Sequence, residues 1–278
     1  MMTLRKPFKI AAASLLAAVF VAAAWIGIDR FREAREDRAY DEKLDRIVSL
    51  MELPAEGDVQ ARFDRIRSFV NDHTRHKIDA AFYALVGDKN GIAERVIAHA
   101  EGKTEDRVHM ECASRTNLMG GVMRKLGYET RVVAIFDTQN GLRSHSFLDV
   151  KNPKTGQWES QDADYDLYWT SRSRGARVSV ADAAEDIDDL LPCSRERCGW
   201  DLASRENIKV EKLPPYLDII NVTRKERDES YALYTSRADL KAVHDIKGER
   251  GGFCDIYAKR CRGGFRPFTA KAGSAALP

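Results

Sequence analysis

The sequence lacks an excess of either charge. Among its 278 residues, 45 are lysine or arginine and 43 are aspartate or glutamate, which gives a formal net charge of +2. A protein that binds nucleic acid through the phosphate backbone usually presents a clustered basic excess. The composition therefore gives no support to a nucleic-acid partner. It indicates an ordinary soluble surface on which charges of both signs are mixed.

Long apolar runs are scarce as well, with one exception near the N-terminus. Residues 1–9 are basic, and the nineteen residues 10–28 carry no charge. A helix of that length spans roughly 28 Å, close to the hydrocarbon thickness of a bilayer. Residues 10–28 are therefore predicted to anchor the chain in the cytoplasmic membrane of a bacterium. The alternative is a cleaved signal peptide with residues 22–24 as its cleavage site.

Cysteine is rare, and its positions bear on the compartment. Two close pairs, Cys193 with Cys198 and Cys254 with Cys261, are predicted to form two small-loop disulfides. A zinc site is the alternative, but the gaps are wider than those of most zinc knuckles. Disulfides place the domain in the periplasm or at the cell exterior. Cys112 is then left as a free thiol, which is either buried and inert or used chemically.

The remaining chain divides by composition. Residues 29–57 alternate in charge and are predicted to form a helical stalk, which Pro54 and Gly57 end. Residues 58–261 are predicted to form the globular domain with a C-terminal extension. Residues 262–278 are basic and glycine-rich, and are predicted to be disordered.

The middle of the domain has the clearest pattern. Apolar residues recur every four positions from Leu118, which predicts an amphipathic helix that begins near Cys112 and ends at a C-cap glycine, Gly127. The segment TRVVAIFD follows as a buried strand. The segments SHSFLDV and QWESQDADYD flank the turn sequence KNPKTG, which predicts an antiparallel hairpin. Farther along, an acidic helix is predicted over residues 178–192, and a charged helical region after the short strand DIINV.

Three side chains on these elements fit a nucleophilic site. Cys112 at a helix N-terminus gains a lower thiol pKa from the unpaired amides and the helix dipole. His145 begins the first hairpin strand and Asp162 lies on its partner, where facing side chains can form a hydrogen bond. The order cysteine, histidine, aspartate matches a catalytic triad. Asp164 is the alternative third member, because it points to the same strand face as Asp162.

The segment 112–162 resembles the core of the transglutaminase-like family, within the papain-like cysteine-enzyme superfamily. The matching positions are Cys112, Arg124 with Gly127, Arg131-Val132-Val133, His145, and Trp158 four residues before Asp162. The sequence departs from the family pattern at Met110, where a glycine is frequent, and at Thr116, where an alanine is usual. It also has His145-Ser146-Phe147 where many members have His-Ala-Trp, and Asp162-Ala163-Asp164 where they have Asp-Pro-Thr.

The resemblance implies an α+β fold with a papain-like core, in which the helix bearing the cysteine packs on a small antiparallel sheet bearing the histidine and aspartate. It also implies acyl transfer on protein or peptide amides: Cys112 attacks the carbonyl, His145 moves the proton, and Asp162 holds the ring. Neither a cofactor nor a metal is expected. Hydrolysis and transamidation both fit, and so does a catalytically inactive binding or scaffold module of the cell envelope. A papain-type protease is disfavoured by the Arg124 and Trp158 motifs.

Three further residues are predicted to be structural. His109 precedes the helix in a loop and is expected at the rim of the site. Arg131 is expected to form a salt bridge, and Trp158 to pack in the core. The sequence makes no prediction about the oligomeric state.

Overall fold

The computed structural model describes residues 6–137, 143–203, 216–224, 227, 229–235 and 265–266. The helices of this part of the chain precede the larger sheet, except for two short 3-10 helices, Ala184–Asp189 and Trp200–Ala203. The α-helices are α1 Lys6–Leu50, α2 Val59–His73, α3 Ala80–Tyr83, α4 Lys89–Ala100 and α5 Cys112–Lys125.

Two sheets are formed by the described residues. The smaller pairs β1 Thr74–His76 with β2 Val108–Met110 in parallel. The larger has eight strands in the order β10-β9-β8-β3-β4-β5-β6-β7 and is antiparallel except between β9 and β10. Its strands are β3 Thr130–Asp137, β4 Arg143–Lys151, β5 Trp158–Asp162, β6 Leu167–Ser171, β7 Leu190–Cys193, β8 Ile219–Arg224, β9 Glu229–Tyr234 and β10 Phe265–Arg266.

Two apolar clusters hold the layers together. One joins the helices to the sheet, and includes Phe63 of α2, Val122 of α5 and Leu148 of β4. The other gathers Trp169 of β6 and Ile220 of β8 with the segment that follows β6, including Ile187. Successive side chains of a strand point to opposite faces of the sheet. A single strand can therefore supply apolar residues to both clusters. The sheet is therefore buried on both faces near its centre.

The predicted α+β class is confirmed, and so is the packing of the cysteine-bearing helix on an antiparallel sheet that carries the histidine and the aspartate. Helix α5 ends as predicted: Gly127 has a φ of 82°, its amide donates to the Arg124 carbonyl, and the Tyr128 amide donates to the Met123 carbonyl. These two bonds form a Schellman motif. The predicted hairpin is β4–β5, and its turn contains Gly156 with a φ of 72°.

Two predicted helices are wrong. Residues 178–192 contain only the 3-10 helix Ala184–Asp189, and strand β7 follows it with Pro192 opposite Trp169 of β6. Pro192 is tolerated there because β7 lies at the edge of the sheet, where a missing amide costs no ladder bond. The second is the charged segment after β8. Its described residues Glu229–Tyr234 form strand β9, which pairs with β8.

The long helix α1 enters the core at its C-terminal end. Leu44 and Ile47 are buried against α4 and α5, whereas Trp25 and Phe31 are exposed. For most of the predicted membrane segment, residues 10–28, the structure does not describe the side chains. Among the residues that the structure describes, no helix is both long enough and apolar enough to cross a membrane.

Candidate active site

Cys112 is the first residue of α5. The preceding residue, Glu111, occupies the N-cap position with extended backbone and makes no side-chain capping bond. The backbone amides at the start of α5 therefore receive no hydrogen bond from an N-cap side chain. Unpaired amides at a helix N-terminus favour a negative charge nearby. Strand β2 fixes the position of the chain just before Cys112. Its last residue, Met110, is buried and pairs with His76 of β1. The thiol itself is half-buried.

His145 and Asp162 lie diagonally across β4 and β5. Leu148 is opposite Gln161, which places His145 and Asp162 on the same face of these strands. The two side chains are buried, and His145 Nε2 lies 2.7 Å from Asp162 Oδ2. The second Asp162 oxygen accepts the backbone amides of Asp164 at 2.9 Å and Tyr165 at 3.3 Å. Asp162 is thus fixed by bonds to both of its oxygens.

The charge state of His145 follows from these contacts. Burial of the ring disfavours its positive charge, but the Asp162 carboxylate and its hydrogen bond outweigh burial and raise the pKa of His145 to about 9. The ring also donates a hydrogen bond to the Cys112 sulfur, which raises the His145 pKa further. Near neutral pH, the structure therefore favours an imidazolium at this position.

The thiol shows the complementary effect. Burial tends to raise the pKa of Cys112, but the hydrogen bond from His145 and its positive charge lower that pKa below its ordinary value. The backbone amide of Ser146 also donates to the sulfur. The pKa values of the thiol and the imidazole are thus shifted in opposite directions, and shifts of this kind favour a thiolate–imidazolium pair.

The remaining predicted residues have other partners. Asp164 contacts Arg115 and His76, and its Oδ2 lies 3.8 Å from the second His145 nitrogen, Nδ1. His109 Nδ1 lies 3.0 Å from Asp79 at the start of α3.

Arg131 forms the buried salt bridge that was expected, at 2.8 Å from Asp149 and 2.6 Å from Asp182. Its guanidinium also lies 4.5 Å from the centroid of the Trp158 ring, which is itself buried. This cluster links β3, β4 and β5.

Thr116, one of the departures from the family pattern, has a clear structural role. Its hydroxyl lies 2.8 Å from the Cys112 carbonyl and 2.9 Å from the Ser146 carbonyl. The side chain therefore ties the first turn of α5 to β4, directly beside His145. An alanine would make neither contact. Met110, the other departure, is buried in the core.

Two residues near the site were missed from the sequence. Arg115 is buried on α5, three residues after Cys112, and its position on the apolar side of the helix is the sequence signal that indicates its burial. His76 comes from β1, and it reaches the site only because β1 pairs with β2. Nothing local in the sequence indicates that pairing.

One predicted disulfide is present, between Cys193 and Cys198. It excludes both sulfurs as zinc ligands, since a metal-bound cysteine is a thiolate. The predicted partner pair, Cys254 and Cys261, lies outside the described residues.

Comparison with solved structures gives only weak similarities, of which two are described. No family model and no curated protein matches the sequence. A candidate cysteine protease from Cytophaga hutchinsonii has a TM-score of 0.31 and 12% identity, over 58% of this chain and 47% of that chain. Rad4–Rad23 bound to a 6-4 photoproduct UV lesion has a TM-score of 0.29 and 11% identity, over 59% of this chain and 42% of that chain. The chain therefore spans less than half the length of either neighbour.

Proposed function

We propose that this protein is a transglutaminase-like thiol acyl-transfer enzyme that acts on protein or peptide amides. The observation that carries the proposal is the hydrogen-bonded series Cys112, His145 and Asp162, assembled from a helix start and two paired strands. The order of these residues, and the opposite directions of the thiol and imidazole pKa values, support a nucleophile paired with its base.

The reaction begins when the Cys112 thiolate attacks the carbonyl carbon of an amide. The oxygen of the tetrahedral intermediate takes up negative charge, which the backbone amide of Cys112 at the start of α5 would stabilise. The His145 imidazolium gives its proton to the leaving amine, and Asp162 keeps the ring oriented during that transfer. The resulting thioester on Cys112 then passes its acyl group to water or to a second amine, with neutral His145 accepting the proton of that nucleophile.

Alkylation of Cys112 tests the proposal without knowledge of the substrate. The wild-type thiol should react with iodoacetamide at pH 6–7 at least about tenfold faster than an ordinary exposed cysteine, because its lowered pKa increases the fraction present as thiolate. A His145→Gln change should remove that advantage. If the wild-type thiol reacts no faster than a free cysteine, the protein is instead an inactive binding or scaffold module, and the enzymatic proposal fails.

We place the domain outside the cytoplasm, held by the predicted membrane segment at residues 10–28 or exported after cleavage. The Cys193–Cys198 disulfide supports an oxidising compartment. Residues 29–57 would form the stalk and residues 58–261 the catalytic domain. Mass spectrometry of protein isolated under thiol-blocking conditions should find both cysteine pairs oxidised. Free Cys193 and Cys254 would contradict this placement.

A further inference from the structure

Asp164 connects three structural elements around the candidate site. It follows β5, two residues after Asp162, and its side chain is almost fully buried. One carboxylate oxygen, Oδ1, receives Arg115 Nη1 from α5 at 2.7 Å and His76 Nδ1 from β1 at 3.0 Å. The other oxygen, Oδ2, lies 3.8 Å from His145 Nδ1 on β4. The carboxylate thus contacts residues of α5, β1 and β4.

The contact with Arg115 fixes the helix that carries the nucleophile. Arg115 lies one helical turn after Cys112, and its Nη1 also donates to the Asp164 carbonyl at 2.9 Å. Its remaining donors reach the Thr74 hydroxyl at 2.7 Å and the Thr74 carbonyl at 2.6 Å. A guanidinium held by these acceptors has little freedom, so the first turn of α5 is clamped to the loop after β5 and to β1.

The backbone of Asp164 is held as firmly as its side chain. Its amide donates to Asp162 Oδ1, and its carbonyl accepts from Asn71 as well as from Arg115. Asp162 and Asp164 therefore form one rigid unit. Asp162 contacts one nitrogen of His145, Nε2, and Asp164 approaches the other nitrogen, Nδ1.

We propose that Asp164 is a positioning residue for the catalytic pair: it holds the charged His145 ring on the thiol side and clamps the Cys112 helix through Arg115. This inference rests on the proposed function, since it assigns a role within the same site. It explains why two aspartates two positions apart are both buried around a single histidine. Each carboxylate acts on a different nitrogen of the ring.

The His145 ring is faced by groups from α5, from β5 and from the loop after β5. The ring meets Asp162 from β5, Cys112 from α5, Asp164 from the loop after β5, and the edge of Tyr165 at 5.1 Å between ring centroids. Of these groups, Asp162 and Asp164 are carboxylates. Removal of the Asp164 charge therefore favours the neutral ring, and the His145 pKa falls. The nearby positive charge of Arg115 reduces the size of this effect.

A purely structural role for Asp164 is the competing explanation. In that case Asp164 serves only as the counter-ion of Arg115, and its loss destabilises the fold without changing the titration of His145. The pKa of His145 is therefore the readout that separates the two roles.

The experiment is an NMR titration of the histidine ring resonances in the full-length protein, with His145 identified by its loss in His145→Gln. Asp164→Asn should lower the His145 pKa by about one pH unit relative to wild type. Asp166→Asn is the matched control, because Asp166 lies two residues further on and pairs with Arg67 rather than with the site. The control should leave the His145 pKa unchanged.

Asp164→Asn leaves Arg115 buried without its anion and could prevent folding. The double variant Arg115→Met/Asp164→Leu removes both charges, and should lower the His145 pKa by a smaller amount in the same direction. An unchanged His145 pKa in a folded variant overturns the inference. Fast alkylation of wild-type Cys112 together with that result would leave the proposed function intact. Slow alkylation of the wild-type thiol would instead refute the proposed function, whatever the titration shows.

Discussion

The Asp162–His145 contact makes a quantitative prediction about folding stability. The unfolded chain has a histidine pKa of 6.5, whereas the folded protein raises the pKa of His145 to about 9. A raised pKa contributes stability that is fully present below pH 6.5 and is lost as the pH rises through about 9. At 1.36 kcal/mol per pKa unit, this interval corresponds to about 3 kcal/mol as an upper limit.

Cys112 would hide this effect in the wild-type protein. Its pKa is lowered on folding, so it loses a proton in the same pH range in which folded His145 keeps one. The two pKa shifts therefore have opposite effects on the pH dependence of stability and partly cancel. The prediction is therefore made for Cys112→Ser, in which the Asp162 contribution to the His145 pKa remains.

The assay is denaturant unfolding of the full-length protein at pH 6 and at pH 9.5. The free energy of unfolding of Cys112→Ser should fall between pH 6 and pH 9.5. This fall should exceed the fall in Cys112→Ser/Asp162→Asn by up to about 3 kcal/mol. In the double variant, the ring lacks the carboxylate that contributes most to its raised pKa, so the loss of stability over this pH range is smaller. Adding Asp166→Asn instead of Asp162→Asn should preserve the pH dependence. Equal losses with and without Asp162 would refute the reasoning.

Two further predictions concern the supports of the site. Thr116→Val should lower the free energy of unfolding by about 1–2 kcal/mol, because the Ser146 carbonyl loses a buried donor; denaturant unfolding measures this. Arg131→Met should cost about 3–5 kcal/mol in the same assay, because Asp149 is fully buried and would lose its cation.

Each of these predictions has a matched control. Thr116→Ser keeps the hydroxyl and should retain most of the stability, so an equal loss in both Thr116 variants would assign the effect to packing. Arg131→Met/Asp149→Leu removes both charges and should recover much of the stability lost in Arg131→Met. No recovery in that double variant would mean that the buried pair is not the origin of the cost.

The sequence was sufficient for the parts of the fold that depend on local patterns. The four-residue period after Leu118, the glycine at 127 and the turn around Gly156 identified α5, its end and the β4–β5 hairpin. His145 and Asp162 were placed on facing strands for the same reason. These features depend on residues close in sequence, where periodicity and turn chemistry dominate.

Features that depend on distant contacts were not predictable. Residues 178–192 have the composition of an acidic helix, but Val178 donates to the Trp169 carbonyl and Asp182 pairs with Arg131. These tertiary contacts hold the segment across the sheet and override its local preference. His76 reaches the site through a pairing between β1 and β2 that spans more than thirty residues. Its approach to Asp164 could not be inferred without the fold.

The central claim is that Cys112 carries an acyl group during turnover. The most direct measurement is the reaction with p-nitrophenyl acetate, followed by release of nitrophenolate and by the intact mass of acid-quenched protein. We predict a stoichiometric burst, with acetyl on Cys112, that is absent in Cys112→Ser and much slower in His145→Gln. A burst that survives in Cys112→Ser, or wild-type protein that forms no acetyl-enzyme, would contradict the claim.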